Sequence, residues 1–232
     1  MNSYLEEVKA TALAEAQKAY LVKVYGWMVG GLMATGLVGG FIALDQVLTS
    51  SILEYFWFFV IAEFGLVFAL SAFINKMSVP IAMLSFMGYS VLNGITLSAV
   101  LLAYDSNSVM NAFLTTSGTF AAMSVYGMVT KKDLSSWGSF FFMGLIGIII
   151  ASVVNFFLQS SALSFAISLI GVFVFIGLTA YDTQKIKESA DLELQGSDIA
   201  TKGAILGALT LYLDFINLFL FILRLFGGSS DE

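Results

Sequence analysis

The sequence predicts an all-α integral membrane protein of seven transmembrane helices, built as a single domain over residues 1–232. Two observations carry this reading. Apolar residues make up 59% of the chain and charged residues only 11%, against roughly 45–50% and about 25% in soluble domains. The apolar residues also fall into seven runs, each near the ~20 residues that a helix needs to cross ~30 Å of hydrocarbon. No polar block or linker separates two parts.

Residues 1–20 carry Tyr4, Val8, Ala12, Ala16 and Tyr20 at steps of four among Glu6, Glu7, Lys9, Glu15 and Lys18. The spacing predicts a short amphipathic helix held at the membrane surface. It has neither the apolar core nor the small-residue cleavage site of a signal peptide. The seven runs follow at 21–44, 52–74, 79–104, 109–129, 137–158, 163–181 and 199–226. Turn-like breaks separate them at 49–51, 75–78, 105–108, 131–133 and 159–161. One connection is long, the charged run 185–202. Gly26 with Gly30, Gly36 with Gly40 and Gly203 with Gly207 form small-xxx-small pairs that let helices approach closely.

The lysines orient the chain, because cytoplasmic loops are enriched in Lys and Arg. Lys9, Lys18, Lys23, Lys76, Lys131, Lys132, Lys185, Lys187 and Lys202 fall on alternate connections, and only Arg224 falls opposite. Seven spans then put the N-terminus in the cytoplasm and the C-terminus outside. The acids Asp45, Glu54, Asp105, Asp231 and Glu232 are expected on the outer face, where they either concentrate cations or only keep the loops soluble.

Three acids remain. Asp214 lies in the last span, about 11 residues past Gly203 and so ~16 Å deep at ~1.5 Å per residue. It shares a small, polar helical face with Gly203, Gly207, Thr210 and Asn217. A carboxylate at bilayer depth costs roughly 2.5–3.5 kcal/mol on insertion scales, so it must face the bundle interior. The last span is therefore expected at the centre. Asp182 ends the sixth span. Two carboxyls meeting in a low-dielectric site cannot both ionise cheaply, and their titration would belong to the pair. Such a pair reads as a proton-sensitive latch that also offers oxygen ligands to a cation. The structural alternative makes Asp182 a helix-end acid beside Lys185, and Asp214 a buried acid bonded to Asn217 or a facing hydroxyl. Glu63 is the third deep acid, and Ser90, Asn93, Thr96, Ser98 and Asn155 are polar liners or interhelical glue.

Cys and His are absent. No disulfide can form, and any metal must be held by oxygen, which favours Ca²⁺ or Mg²⁺. No cofactor and no nucleic-acid partner are expected.

The stretches Gly177-Leu178-Thr179-Ala180-Tyr181-Asp182-Thr183-Gln184-Lys185 and Gly207-Ala208-Leu209-Thr210-Leu211-Tyr212-Leu213-Asp214-Phe215-Ile216-Asn217 resemble the two signatures of the Bax inhibitor-1 family. Asn93-Gly94-Ile95-Thr96-Leu97-Ser98 extends the likeness. The resemblance implies two three-helix layers around a central seventh helix in a bacterial inner membrane. It implies a pH-sensitive calcium leak gated by a diaspartyl pair that maps onto Asp182 and Asp214, which would also be the calcium ligands. Glu63, Asn93 and Asn217 become candidates for the ion path. Some relatives add an arginine on the second span; none stands there, and Lys76 or Asn75 is the nearest candidate partner for the aspartates. The resemblance also admits a membrane protease as a restrained partner.

Other functions fit less well. An intramembrane aspartyl protease resembles Gly-x-Gly-Asp at its second acid, where this chain has Leu211-Tyr212-Leu213-Asp214, and it needs a Pro-Ala-Leu turn, whereas the one proline is Pro80. A retinal protein would need a lysine in the last span. The readings left open are the leak, a non-enzymatic interaction protein and a proton-coupled exchanger.

Overall fold

A computed structural model describes residues 2–194 and 196–227, all of whose regular structure is helical. Asp231 and Glu232, expected on the outer face, lie outside the described residues. The elements run α1 (Asn2–Ala43), α2 (Gln46–Glu54), α3 (Phe56–Phe73), a 3₁₀ turn (Ile74–Lys76), α4 (Val79–Leu101), α5 (Ser106–Val129), α6 (Ser135–Leu158), α7 (Ser161–Glu188), a second 3₁₀ segment (Ser189–Leu194) and α8 (Ser197–Phe226).

Among the described residues six segments are long and apolar enough to cross a membrane: Ala10–Ala43, Phe56–Lys76, Val79–Leu101, Ser135–Leu158, Ser161–Leu192 and Ser197–Phe226. The 109–129 run lies within α5, which is long enough but diluted by Ser106, Asn107, Ser108, Asn111, Thr115, Thr116 and Ser117. Large apolar side chains such as Phe58, Phe64, Phe68, Phe156 and Phe157 are exposed. In water these would be a liability; they are what a lipid-facing surface requires.

The breaks differ most from expectation in four places. The surface helix at 1–20 is not separate, because α1 is continuous over 42 residues and neither glycine nor proline stands near Tyr20 to end it. The serine-rich break at 49–51 is helical. Asp45 Oδ1 caps α2 by accepting from Val47 N–H at 2.9 Å and Leu48 N–H at 3.1 Å. The Ser50 and Ser51 hydroxyls donate back to the Val47 carbonyl, so residues suited to a turn are absorbed into a short helix. The 52–74 run is instead divided at Tyr55, where φ −104° and ψ 16° leave the helical range; nothing in the local sequence explains that kink. The charged connection 185–202 is mostly helix, since α7 runs on to Glu188 and the only described loop residue before α8 is Gly196, at φ +128°. That conformation suits glycine alone.

The expected breaks at 131–133 and 159–161 fall at junctions between helices, whereas that at 105–108 is displaced to 102–105, since α5 begins at Ser106. Pro80 sits in the first turn of α4, where its missing N–H costs nothing. Asp105 caps α5, and the Ser108 hydroxyl, with the Ser108 and Asn107 N–H groups, holds its carboxyl below the usual range. A depressed folded value means that this contribution is complete above the ordinary carboxylate range and is lost as pH falls through the lowered value. Asn155, a candidate interhelical bond, instead ends α6: its Oδ1 accepts from Ser160 N–H at 3.0 Å beside the left-handed Gln159.

The chain packs as two compact units, Met1–Leu102 with Ile186–Tyr212, and Ala103–Lys185 with Leu213–Glu232. Their borders fall inside α7 and α8. In the first unit α1 and α4 touch at backbone distance: a Cβ on Gly94 would come within 2.7 Å of the Thr35 carbonyl. The Gly203/Gly207 pair is used as expected, against Tyr20, Leu192, Val24 and Ile186. Gly26, Gly30, Gly36 and Gly40 have no neighbour within 4 Å, whereas Gly31 and Gly39 do. The contact stripe of α1 thus runs through Gly31 and Gly39 and coincides with neither expected glycine pair.

Valine at Gly94 should overpack that crossing and cost about 1–3 kcal/mol, read as a lower thermal midpoint in detergent. The same change at Gly118, which faces open space, should leave the midpoint unchanged.

Candidate functional site

The second unit holds Asp182 and Asp214. Asp182 is fixed by what surrounds the end of α7. Gly127 of α5 lies against the Ala180 carbonyl and Thr183, Gly138 of α6 against the Tyr181 ring, and Gly177 of α7 against the Phe141 ring. Two residues beyond Asp182, the buried Gln184 ties the α5–α6 connection to α7. Its Oε1 accepts from Leu134 N–H at 2.9 Å, and its Nε2 donates to the Lys132 carbonyl at 2.8 Å. Both halves of one amide are used on backbone groups that would otherwise lack partners.

Asp214 is set by α8. It is 4% exposed, and the next residue, Phe215, packs edge-on against Phe113 and Phe120 of α5, with ring centroids at 5.9 and 5.4 Å. The Asp182 and Asp214 side chains lie close enough to interact, and two carboxyls can hydrogen-bond each other only with one proton between them. No hydroxyl or amide donor reaches Asp214 Oδ2, which is sealed from solvent. The pair expected from the sequence is therefore in contact.

Asn217 is not brought to the pair. Its Nδ2 donates to the Leu213 carbonyl of its own helix at 2.8 Å, so the alternative of an Asp214–Asn217 bond is not realised. Lys76 is exposed at the end of its 3₁₀ turn, with Nζ 5.7 Å from the centroid of the adjacent Phe73 ring.

Glu63 and Asn93 belong to the first unit, where they meet. Thr96 Oγ1 donates to Glu63 Oε1 at 2.5 Å, and Asn93 Nδ2 to Oε2 at 3.4 Å. Asn93 Oδ1 accepts from the Tyr212 hydroxyl at 3.0 Å, which is 2.6 Å from Thr35 Oγ1; that hydroxyl also lies 2.8 Å from the Ser90 carbonyl. A hydrogen-bonded chain thus runs through α3, α4, α8 and α1. Its members are neutral apart from Glu63.

Thr35, Tyr212 and Gln184 were not singled out from the sequence. Helical periodicity places Tyr212 on the greasy side of α8, away from the small polar face, and gives no sign that its hydroxyl finds partners there. Gln184 stands inside the first signature stretch, which was the one available signal. Among the described residues no three His, Cys, Asp or Glu side chains cluster as a metal cage. A cation at the aspartates would meet two carboxyls and neutral oxygens.

Against known protein families, residues 17–231 match the one described as Inhibitor of apoptosis-promoting Bax1. The chain belongs to this Bax inhibitor-1 family. It is 47% identical to the inner membrane protein YbhL of Escherichia coli K12 over 215 residues, covering 91% of this chain and 92% of that one. Uncharacterized proteins of Deinococcus radiodurans and Rickettsia prowazekii are 44% and 42% identical, each across 92% of its own length. The likeness includes both stretches that carry the aspartates.

Gln184→Ala should leave the Leu134 N–H and Lys132 carbonyl without their partner and cost about 1–3 kcal/mol. Gln184→Glu, which keeps the acceptor but not the donor, should restore part of that loss in thermal unfolding.

Proposed function

We propose that this Bax inhibitor-1 family protein is a pH-sensitive leak path for calcium, and that Asp182 and Asp214 form its latch. The contact between the two carboxyls is the observation that carries the reading. While they share a proton, a hydrogen bond ties α7 to α8. When the proton leaves, two negative charges face each other, and unit charges at ~4 Å repel by about 4 kcal/mol at an effective dielectric of ~20, several times the thermal energy. The tie then becomes a repulsion, and a cation entering between the carboxylates would relieve it.

The setting follows from the same residues. Counting α5 as a seventh span, the lysine distribution supports a cytoplasmic N-terminus and an external C-terminus. A bacterial inner membrane is the expected location, in keeping with the name of the E. coli relative. Calcium is cargo here, and Asp182 and Asp214 its transient ligands, with Glu63 and Asn93 as further candidates along its path. No catalytic chemistry is assigned to the pair.

Purified protein in calcium-indicator liposomes should give a flux that changes between mildly acidic and neutral pH. An amide can hydrogen-bond a carboxylate without a shared proton, so Asp182→Asn and Asp214→Asn should each bring the ratio of fluxes at the two pH values close to one. Flux no greater than in empty liposomes, or an unchanged pH response in both variants, would rule the latch out.

A further inference from the structure

Two buried side-chain atoms among the described residues have no hydrogen-bond partner: Asp214 Oδ2 and the hydroxyl of Ser124 in α5. Both belong to the second unit. A buried hydroxyl without a partner carries a desolvation cost of about 1–3 kcal/mol, so each such atom needs an explanation.

The serine is unusual in a specific way. A hydroxyl inside an apolar helix ordinarily donates to the carbonyl four residues back. Ser90, Thr116, Ser168 and Thr179 all do so, to Phe86, Ala112, Ser164 and Phe175. Ser124 is just as buried, at 3% exposed, yet its hydroxyl does not turn back on its own helix.

Its direction can be read from its neighbours on the same face. Phe120, one turn before, packs on Phe215, the residue after Asp214. Gly127, one turn after, lies against Ala180 and Thr183, which flank Asp182. Ser124 therefore sits between the α5 contact with the Asp214 segment and the α5 contact with the Asp182 segment. The cations on α7 and α8 of this unit lie over aromatic rings: Lys185 Nζ is 5.9 Å from the Tyr181 ring centroid, and Arg224 is over Phe221 at 5.8 Å. α6 carries no titratable side chain.

We propose that Ser124 is a third member of the aspartate site, a positioning residue whose hydroxyl serves Asp214 Oδ2 across one bound water. A buried water needs two to four polar partners, and Ser124, Asp214 and Asp182 supply three. The serine then holds the orientation of the Asp214 carboxyl, and α5 joins α7 and α8 in forming the site. The inference rests on the position of the aspartates and not on what crosses the membrane.

A double-mutant cycle on the full-length protein in detergent tests it through stability alone, so its outcome is separate from that of the flux assay. Ser124→Ala should lower the thermal midpoint by about 2–4 °C, the shift expected for ~1 kcal/mol in a chain of this size. It should produce no further shift in Asp214→Leu, which removes both carboxyl oxygens at similar volume, or in Asp214→Ala if the leucine variant does not fold. Ser124→Thr keeps the hydroxyl and should preserve the coupling. Two results overturn the proposal: an equal shift in both backgrounds, which makes the residues independent, or no loss from Ser124→Ala, as expected when a hydroxyl with nothing to bond is removed.

Discussion

Charge is expensive in hydrocarbon, and the most constrained point of this molecule is where two carboxyls meet inside it. Asp182 and Asp214 stand on consecutive helices, with their side chains close enough to interact. Placing both acids together removes the need for a basic partner at bilayer depth, where a lysine or arginine would carry its own insertion cost. Few other arrangements of two identical side chains change from attraction to repulsion on loss of one hydrogen.

That contact depends on how tightly α7 is held. Small residues let helices in a bilayer approach until van der Waals packing and polar contacts replace the absent hydrophobic drive. Around Asp182 this is done by Gly127, Gly138 and Gly177, each with a ring, carbonyl or side chain where its own Cβ would stand. Gln184 adds a polar tether to the α5–α6 connection. The end of α7 is thus anchored on both sides of the acid, which lets a change at the carboxyl act on helices rather than dissipate in a loose side chain.

The first unit manages its buried acid differently. Glu63 is met by a hydroxyl and an amide, and behind them by a phenol and a second hydroxyl. Neutral dipoles solvate the group without opposing it in charge, and each bond orients the next. The same chain fixes Tyr212 and, with it, the rotation of α8 in that unit. One helix therefore carries a hydrogen-bonded phenol at Tyr212 and a buried carboxyl at Asp214.

The sequence by itself determined the class and most of the spans, and it marked the acids that lie within them. Apolar runs of spanning length leave few alternatives, and an acid in the midst of one has to find a partner. Local composition could not decide where helices break. Serines suited to a turn at 49–51 became helix once Asp45 capped them, and Tyr55 broke a run with no local signal. The glycines of α1 illustrate the same limit: four form recognisable pairs, yet the contact is made by Gly31 and Gly39, because which stripe of a helix meets its neighbour is a property of the neighbour. Tyr212, Gln184 and Ser124 were decided by tertiary structure alone. A side chain's hydrogen-bond partner is whatever the packed helices bring within about three ångströms of it, and no periodicity within one helix encodes that.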